Sequence, residues 1–265
     1  MSLQSGTLRA GEGALYPEEG PERDITVSSF AIDVHEVTND QFGAFVAATG
    51  YVTEAEQPPP DLPEAPPEMR QPGSALFTIP TPGNPSWWRW QSGAAWRSPE
   101  GPGSNLDGRG DHPVVHVTLR DAEAYADWAG AALPTAAEWE YAARGGLDGA
   151  SYEWGDEQRP GGAHRANSWQ GVFPVQDTGA DGHEGLAPVG CYDANGYGLH
   201  DMTGNVWELT ATPTADGTGS IIKGGSFLCA DNYCRRDRPA AWQAQERGLG
   251  TNHIGFRTIV REPEA

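Results

Sequence analysis

The sequence predicts an α+β domain, irregular and loop-rich, with little regular secondary structure. Thirty-five glycines and 22 prolines in 265 residues supply the special backbone angles that turns and loops require. Ten tryptophans offer large anchoring areas at low conformational cost. Only three segments combine helical apolar spacing with a start and a stop signal. At this length the chain is long for one average domain and short for two, so a single domain over residues 1–265 is expected, ample to bury a core.

Ile25, Val27, Phe30 and Ile32 alternate across residues 24–33 as in a strand or hairpin arm. Thr38 with Gln41 forms a capping box, Phe42, Phe45 and Val46 share a helical face, and Gly50 closes the helix. Residues 57–85 carry Pro58-Pro59-Pro60 and Pro66-Pro67, which leaves neither a helix nor a central strand and predicts an extended surface loop, with a disordered excursion over 57–75 as the alternative. Val114 to Val117 reads as a short apolar strand. Thr118 with Asp121 opens a second helix, Ala122, Tyr125, Ala126 and Ala129 share a face, and Gly130 ends it. Thr135 with Glu138 caps a third, burying Trp139, Ala142 and Ala143 before Gly145-Gly146. Beyond Gly146 the turn dipeptides Asp148-Gly149, Asp181-Gly182 and Asn195-Gly196 separate aromatic anchors.

A net charge of −20 and a pI near 4.5 argue against nucleic acid, whose phosphates need Lys and Arg to displace counterions. Acidity favours a cationic peptide, or is simply a solvated surface. No apolar run approaches the ~18 residues of a membrane span, and the amino terminus lacks a basic-then-apolar leader pattern. Three cysteines, an odd number, form no disulfide framework. The expectation is a soluble, cytoplasmic, bacterial-type protein with no membrane partner.

Two of those cysteines, Cys229 and Cys234, stand five residues apart in the stretch from Lys223-Gly224-Gly225-Ser226 onwards. The spacing fits neither a zinc knuckle nor a C-x-x-C redox pair. Spacing alone leaves a structural disulfide, two small buried hydrophobes or an active pair open. Asn167, Asp177 and Asp181 lie in a glycine-rich stretch, and Asp201 and Glu208 bracket Gly204-Asn205-Val206. Such oxygens suit a hard cation, although ordinary turn capping places Asp and Asn the same way. The seven histidines, His35, His112, His116, His164, His183, His200 and His253, make no metallohydrolase grouping, and there is no G-x-S-x-G, Walker A or G-x-G-x-x-G. Ser226 has no positioned base in sequence.

Lys-Gly-Gly-Ser-Phe-Leu-Cys, Tyr-Cys-Arg-Arg and Ile254-Gly255-Phe256-Arg257 are similar to the C-terminal signature of the formylglycine-generating enzymes, the sulfatase-modifying factors. His35-Glu36-Val37-Thr38-Asn39, the block from His112 to Val117, that from Leu133 to Tyr141, Asn167-Ser168-Trp169-Gln170-Gly171, Asn195-Gly196-Tyr197-Gly198-Leu199 and Gly204-Asn205-Val206-Trp207-Glu208 resemble that family's blocks in its order. The resemblance covers residues 25–257, with 57–85 as a variable insertion ending at Trp87-Trp88 on one wall of the substrate cleft. It implies a C-type-lectin-like fold and an oxidase that uses O2 and an external reductant. The implied substrate is a cysteine in an unfolded sulfatase-type polypeptide, of the Cys-x-Pro-x-Arg kind, which becomes Cα-formylglycine. It further implies Cu(I) on Cys229 and Cys234, with Ser226, Tyr233 and Trp207 lining the site. Two structural Ca2+ ions are implied, one on Asn167, Ser168, Asp181 and His183, the other on Asp201, Gly204, Val206 and Glu208. Four positions depart from the family's usual residues, namely Ala230 for His, Trp242-Gln243 for Arg-Ser, and His253 for Asn. These departures point to an altered substrate groove at Trp242, Gln243 and His253. An oxidase of another thiol or peptide and a non-catalytic lectin-like binding module are the alternatives.

Overall fold

A computed structural model describes residues 1–59 and 64–261; Pro60 of the proline run lies outside the described residues. In chain order the elements are β1 (Ser2–Leu3), β2 (Gly6–Ala10), β3 (Arg23–Val27), β4 (Phe30–Ile32), α1 (Asn39–Thr49), β5 (Gly73–Phe77), β6 (Trp88–Ser92), α2 (Leu119–Ala129), α3 (Ala136–Ala143), β7 (Gly171–Val172), β8 (Gln176–Asp177), β9 (Trp207–Pro213), β10 (Gly219–Lys223), β11 (Trp242–Glu246), β12 (Ile254–Gly255) and β13 (Ile259–Arg261). The largest sheet runs β11-β10-β9-β12, a second runs β1-β4-β13, and three hairpin pairs complete the set. Most of the chain between them is loop.

The three helices stand where their caps predict. Thr38 Oγ1 accepts from the Gln41 N–H while the Thr38 N–H donates to Gln41 Oε1, and Gly50 turns left-handed at φ 69°. Thr118 with Asp121 and Thr135 with Glu138 repeat the reciprocal pair. The last turn of α2 swings Ala129 into solvent, so the buried face is Leu119, Ala122, Tyr125 and Ala126.

Four expectations need correction. Residues 24–33 divide between sheets, β3 pairing with β2 and β4 lying between β1 and β13. Val114–Val117 is buried but forms no strand, because His116 takes φ 60° and sends the chain away after single bonds from Val114 N–H to Val37 and from His116 N–H to Thr251. The insertion contains β5, paired with β6, since no proline stands between Pro72 and Pro80 and the donors of Gly73 to Phe77 are free. The fold also begins ahead of Ile25: the Met1 ammonium donates to the Ile32 carbonyl at 2.7 Å, and β1 and β2 are integral strands.

One core cluster packs Phe42 and Phe45 of α1, Tyr125 of α2, Trp96 and Phe256 against Trp207, Leu209 and Ile222 of the large sheet. Another seats Trp139, Ala142 and Ala143 of α3 under Leu3, Phe30, Ile32 and Ile259. Buried ions join the layers. Arg257, fully buried, grips both carboxylate oxygens of Glu208 at 2.7 Å, and Lys223 and Arg144 share Glu140 at 3.0 and 2.8 Å.

His116 is fully buried with Nε2 donating to the Pro99 carbonyl at 2.8 Å, and burial depresses its pKa from 6.5 to about 4. Burial lowers His253 in the same direction. The unfolded chain therefore takes up a proton at His116 between pH 6.5 and 4 that the folded chain refuses, so this histidine's contribution to stability is full above pH 6.5 and declines as pH falls through that window. The change in urea midpoint from pH 7.5 to 5 includes this loss. It should shrink in His116→Asn, a residue that tolerates the left-handed backbone; an equal decline in the variant assigns the effect to other groups.

Candidate active site

The loop that carries the thiols springs from the end of β10, where Lys223 is pinned by Glu140. Gly224 and Gly225 both take positive φ, and a Cβ on Gly225 would lie 2.8 Å from the Cα of Asp237, so the turn requires glycine there. Phe227 N–H donates to the Asn205 carbonyl, Cys229 N–H to Ser226, and Trp169 N–H to the Cys229 carbonyl. Ala230 and Cys234 exchange backbone bonds of 2.8 and 3.1 Å, which folds the loop back on itself. The result places Cys229 Sγ and Cys234 Sγ 3.3 Å apart as free thiols, the first buried and the second half-buried.

The pair divides its protons unequally. A hydrogen bond from Cys229, with help from Arg236, lowers Cys234 to about 7 against the opposing effect of burial. The same bond and burial push Cys229 well up. Cys234 is therefore the more readily ionised of the two sulfurs and, half-buried, the more accessible one.

An aromatic wall flanks the thiols. Tyr233, 56% exposed, stacks on Phe173 at 4.2 Å, and Trp87 meets both rings. Phe77, Trp169, Phe227 and Leu228 pack behind them, with Trp88 at the edge. The insertion thus ends at the wall, at Trp87 and Trp88. A cleft of about 580 Å³ is lined by Phe77, Trp169 and Phe227 together with Arg89, Glu184 and Asn252. Neither cysteine lines it.

The sequence-derived site residues scatter more than expected. Ser226 is buried in the thiol loop and its Oγ accepts from the Leu228 N–H at 3.2 Å. Trp207 is not on the wall; it is 2% exposed within the main core. His253 joins the wall's edge, 5.0 Å from Trp88, with its ring bonded to Thr251. Trp242 and the exposed Gln243 stand apart from it on β11, an edge strand, where Trp242 Nε1 donates to the Glu18 carbonyl. The three groove positions are therefore not one groove, because β11 and the segment before β12 leave opposite sides of the large sheet.

Of the oxygen groups, the first is drawn together: Asp181 accepts from the N–H of Ser168 and of His183, each at 3.1 Å, and Asn167 Nδ2 donates to Gly185 and Asn205. In the second, Asp201 accepts from Gly190 N–H, while Glu208 is engaged by Arg257 twice and by Trp139 Nε1. Among the described residues no three His, Cys, Asp or Glu side chains converge as a metal cluster. Any calcium would depend on amide and carbonyl oxygens.

Sequence reasoning missed the segment from Gly11 to Gly20, whose Tyr16, Glu18 and Glu19 contact Arg235, Arg236 and Arg238 just past Cys234. Tyr16-Pro17-Glu18-Glu19, with proline at the first position and two acids behind it, carried a helix-start signal that could have marked it.

Residues 1–262 match the family described as sulfatase-modifying factor enzyme 1-like domain. The chain belongs to the formylglycine-generating enzyme family. It is 47% identical to a formylglycine-generating enzyme of Mycobacterium tuberculosis, over 98% of this chain and 97% of that one. It is also 40% identical, over 90% of itself and 77% of the relative, to a mouse protein named inactive C-alpha-formylglycine-generating enzyme 2. Family membership alone therefore does not decide activity, and the thiol pair bears that weight. PvdO from Pseudomonas aeruginosa shares the fold with a TM-score of 0.67 at 22% identity, covering 99% of this chain and 94% of that one. The loop-rich α+β architecture expected of this family is the one observed. No described helix is long and apolar enough to cross a membrane.

Proposed function

We propose that this formylglycine-generating enzyme family member oxidises a cysteine of an unfolded sulfatase-type polypeptide, within Cys-x-Pro-x-Arg, to Cα-formylglycine with O2. The observation that carries the reading is the pair of free sulfurs 3.3 Å apart, one of them the more readily ionised, beside an exposed aromatic wall.

Two converging soft sulfurs with no carboxylate between them fit Cu(I) by donor chemistry, so Cys229 and Cys234 would hold it. Bound there, copper would supply the activation of O2. The chain's own residues do the rest. The loop keeps Cys229 out of water, Tyr233 and Phe173 present a flat apolar face to the residues flanking the substrate cysteine, and Ser226 fixes the loop through Leu228. In the overall reaction the substrate Cβ loses two electrons and its C–S bond is replaced by C=O. Its sulfur leaves as hydrogen sulfide. Dioxygen accepts four electrons, two from the substrate and two from an external dithiol or thiol pair, and is reduced to two waters, while one water supplies the aldehyde oxygen. Mass analysis of a Cys-x-Pro-x-Arg peptide incubated with Cu(I)-loaded protein, O2 and a thiol should show the thiol-to-aldehyde mass loss. An unmodified peptide with copper bound would instead favour oxidation of another thiol, the reading that His253 at the wall's edge supports.

We further propose calcium at Asn167, Ser168, Asp181 and His183, because Asp181 already gathers two of the backbone segments that would offer carbonyls. Chelation should lower the melting temperature by several degrees, and Asp181→Ala should abolish that response. A wild-type melting curve indifferent to chelator removes the ion.

A further inference from the structure

We propose that residues 11–20 are the positioning element of the thiol pair, acting through Tyr16 on the chain that leaves Cys234. Cys229 needs no such help: its N–H and carbonyl are bonded to Ser226 and Trp169, and its side chain is 2% exposed. Cys234 is half-buried, and among the described residues its own backbone bonds run to Ala230 in the same turn, while the turn's Asp231 and Asn232 side chains reach Arg159 and Phe173. On its C-terminal side its place relative to Cys229 depends on the residues from Arg235 to Arg238.

That stretch is gripped from more than two hundred residues away in sequence. Arg235 N–H donates to the Tyr16 hydroxyl at 3.2 Å. The Arg236 guanidinium lies 4.1 Å over the Tyr16 ring and pairs with Glu18 at 2.5 Å. Arg238 reaches Glu19 at 2.5 Å and the Gly13 carbonyl at 3.0 Å, and turns its Nε to the Arg235 carbonyl at 2.8 Å. Glu19 in turn accepts from the N–H groups of Leu15 and Tyr16, so the segment is folded around the same carboxylate that holds Arg238. Its other end is fastened to α3, by Gly11 N–H to Glu140 and by Arg144 to the Glu12 carbonyl. The strap therefore spans from the core to the backbone one residue beyond Cys234. Its contacts converge on Arg235, Arg236 and Arg238, in the stretch that directly follows Cys234.

A strap that only stabilises the fold and one that positions Cys234 differ in one measurable quantity. In glutathione buffers the dithiol and oxidised glutathione exchange to the protein disulfide and two reduced glutathiones, and the equilibrium constant is the effective concentration of one thiol at the other. Closing a 3.3 Å pair to bonding distance needs Cys234 held in register, so a loosened Cys234 should score lower. Tyr16→Ala should lower that constant about fivefold, the factor equivalent to roughly one lost hydrogen bond. Tyr16→Phe keeps the ring under Arg236 and should fall between Tyr16→Ala and wild type. Glu18→Gln, at an exposed residue, tests the Arg236 arm separately and should also lower it. Should Tyr16→Ala not fold, the two milder variants decide. A constant within error of wild type in folded variants, or one that rises, overturns the proposal. The loss of turnover expected in these variants rests on the oxidase reading, but the exchange constant needs neither copper, O2 nor client peptide, so each idea can fail alone.

Discussion

Cys229→Ser and Cys234→Ser should each cut conversion of a Cys-x-Pro-x-Arg peptide by at least about a thousandfold, and the double variant should be no worse than either single one. Residues that act as a unit lose their function together, so the second removal costs little. The thiols meet at 3.3 Å and the ionisation of each is coupled to the other, which makes the pair a single functional group. A hydroxyl in place of either sulfur is a hard donor that neither ionises near neutral pH nor holds a soft ion, so Cu(I) retention should fall with activity. Fold stability separates this from the structural alternative. A disulfide closing so short a loop would be expected to contribute roughly 2–4 kcal/mol, and both Ser variants would then melt much earlier. Because the thiols are free and Cys234 is half-buried, Cys234→Ser should melt within about 1 kcal/mol of wild type. Either variant retaining stoichiometric Cu(I) and full turnover would falsify the assignment of the pair.

What the sequence made legible was local. Thr38 with Gln41, Thr118 with Asp121 and Thr135 with Glu138 announce helices because a capping box is decided within four residues. The thiol loop was legible for the same reason, its signature being contiguous from Lys223 to Cys234. Illegible features depend on distant partners. Val114 to Val117 has the composition of a strand, but its neighbours offer single bonds from Val37 and Thr251 and no ladder. The strap became a functional candidate only when Arg235, Arg236 and Arg238 closed on Tyr16, Glu18 and Glu19. Trp242 and His253 look alike in sequence as changed residues, yet sheet topology sends one to an edge strand and the other to the aromatic wall.

Arg257→Met should destabilise the protein by about 3–5 kcal/mol, because it strands the fully buried Glu208 without its counter-ion. Arg257 Nε and Nη2 each hold one oxygen of Glu208, and the same guanidinium also donates to the carbonyls of Asp33, Val34, His200 and Asp201. It thus ties the end of β4, the loop before β9 and β9 itself in one plane. Arg257→Lys should recover little, since an ammonium cannot reproduce a planar fork that serves acceptors on three segments. Removing both charges in Arg257→Met/Glu208→Met should cost less than the sum of the single losses, because neither then leaves an uncompensated buried ion. Urea unfolding of the four proteins completes the cycle; additive losses would mean the two side chains do not act as a pair. The same variants test the second oxygen group. With Arg257 gone, the Glu208 carboxylate is left facing Asp201 with only the Trp139 N–H upon it. Calcium that raised the melting temperature of Arg257→Met above its effect on wild type would identify Glu208 as a cation ligand that the guanidinium displaces. An unchanged response would leave Glu208 as the counter-ion of Arg257, holding the sheet from which the thiol loop springs.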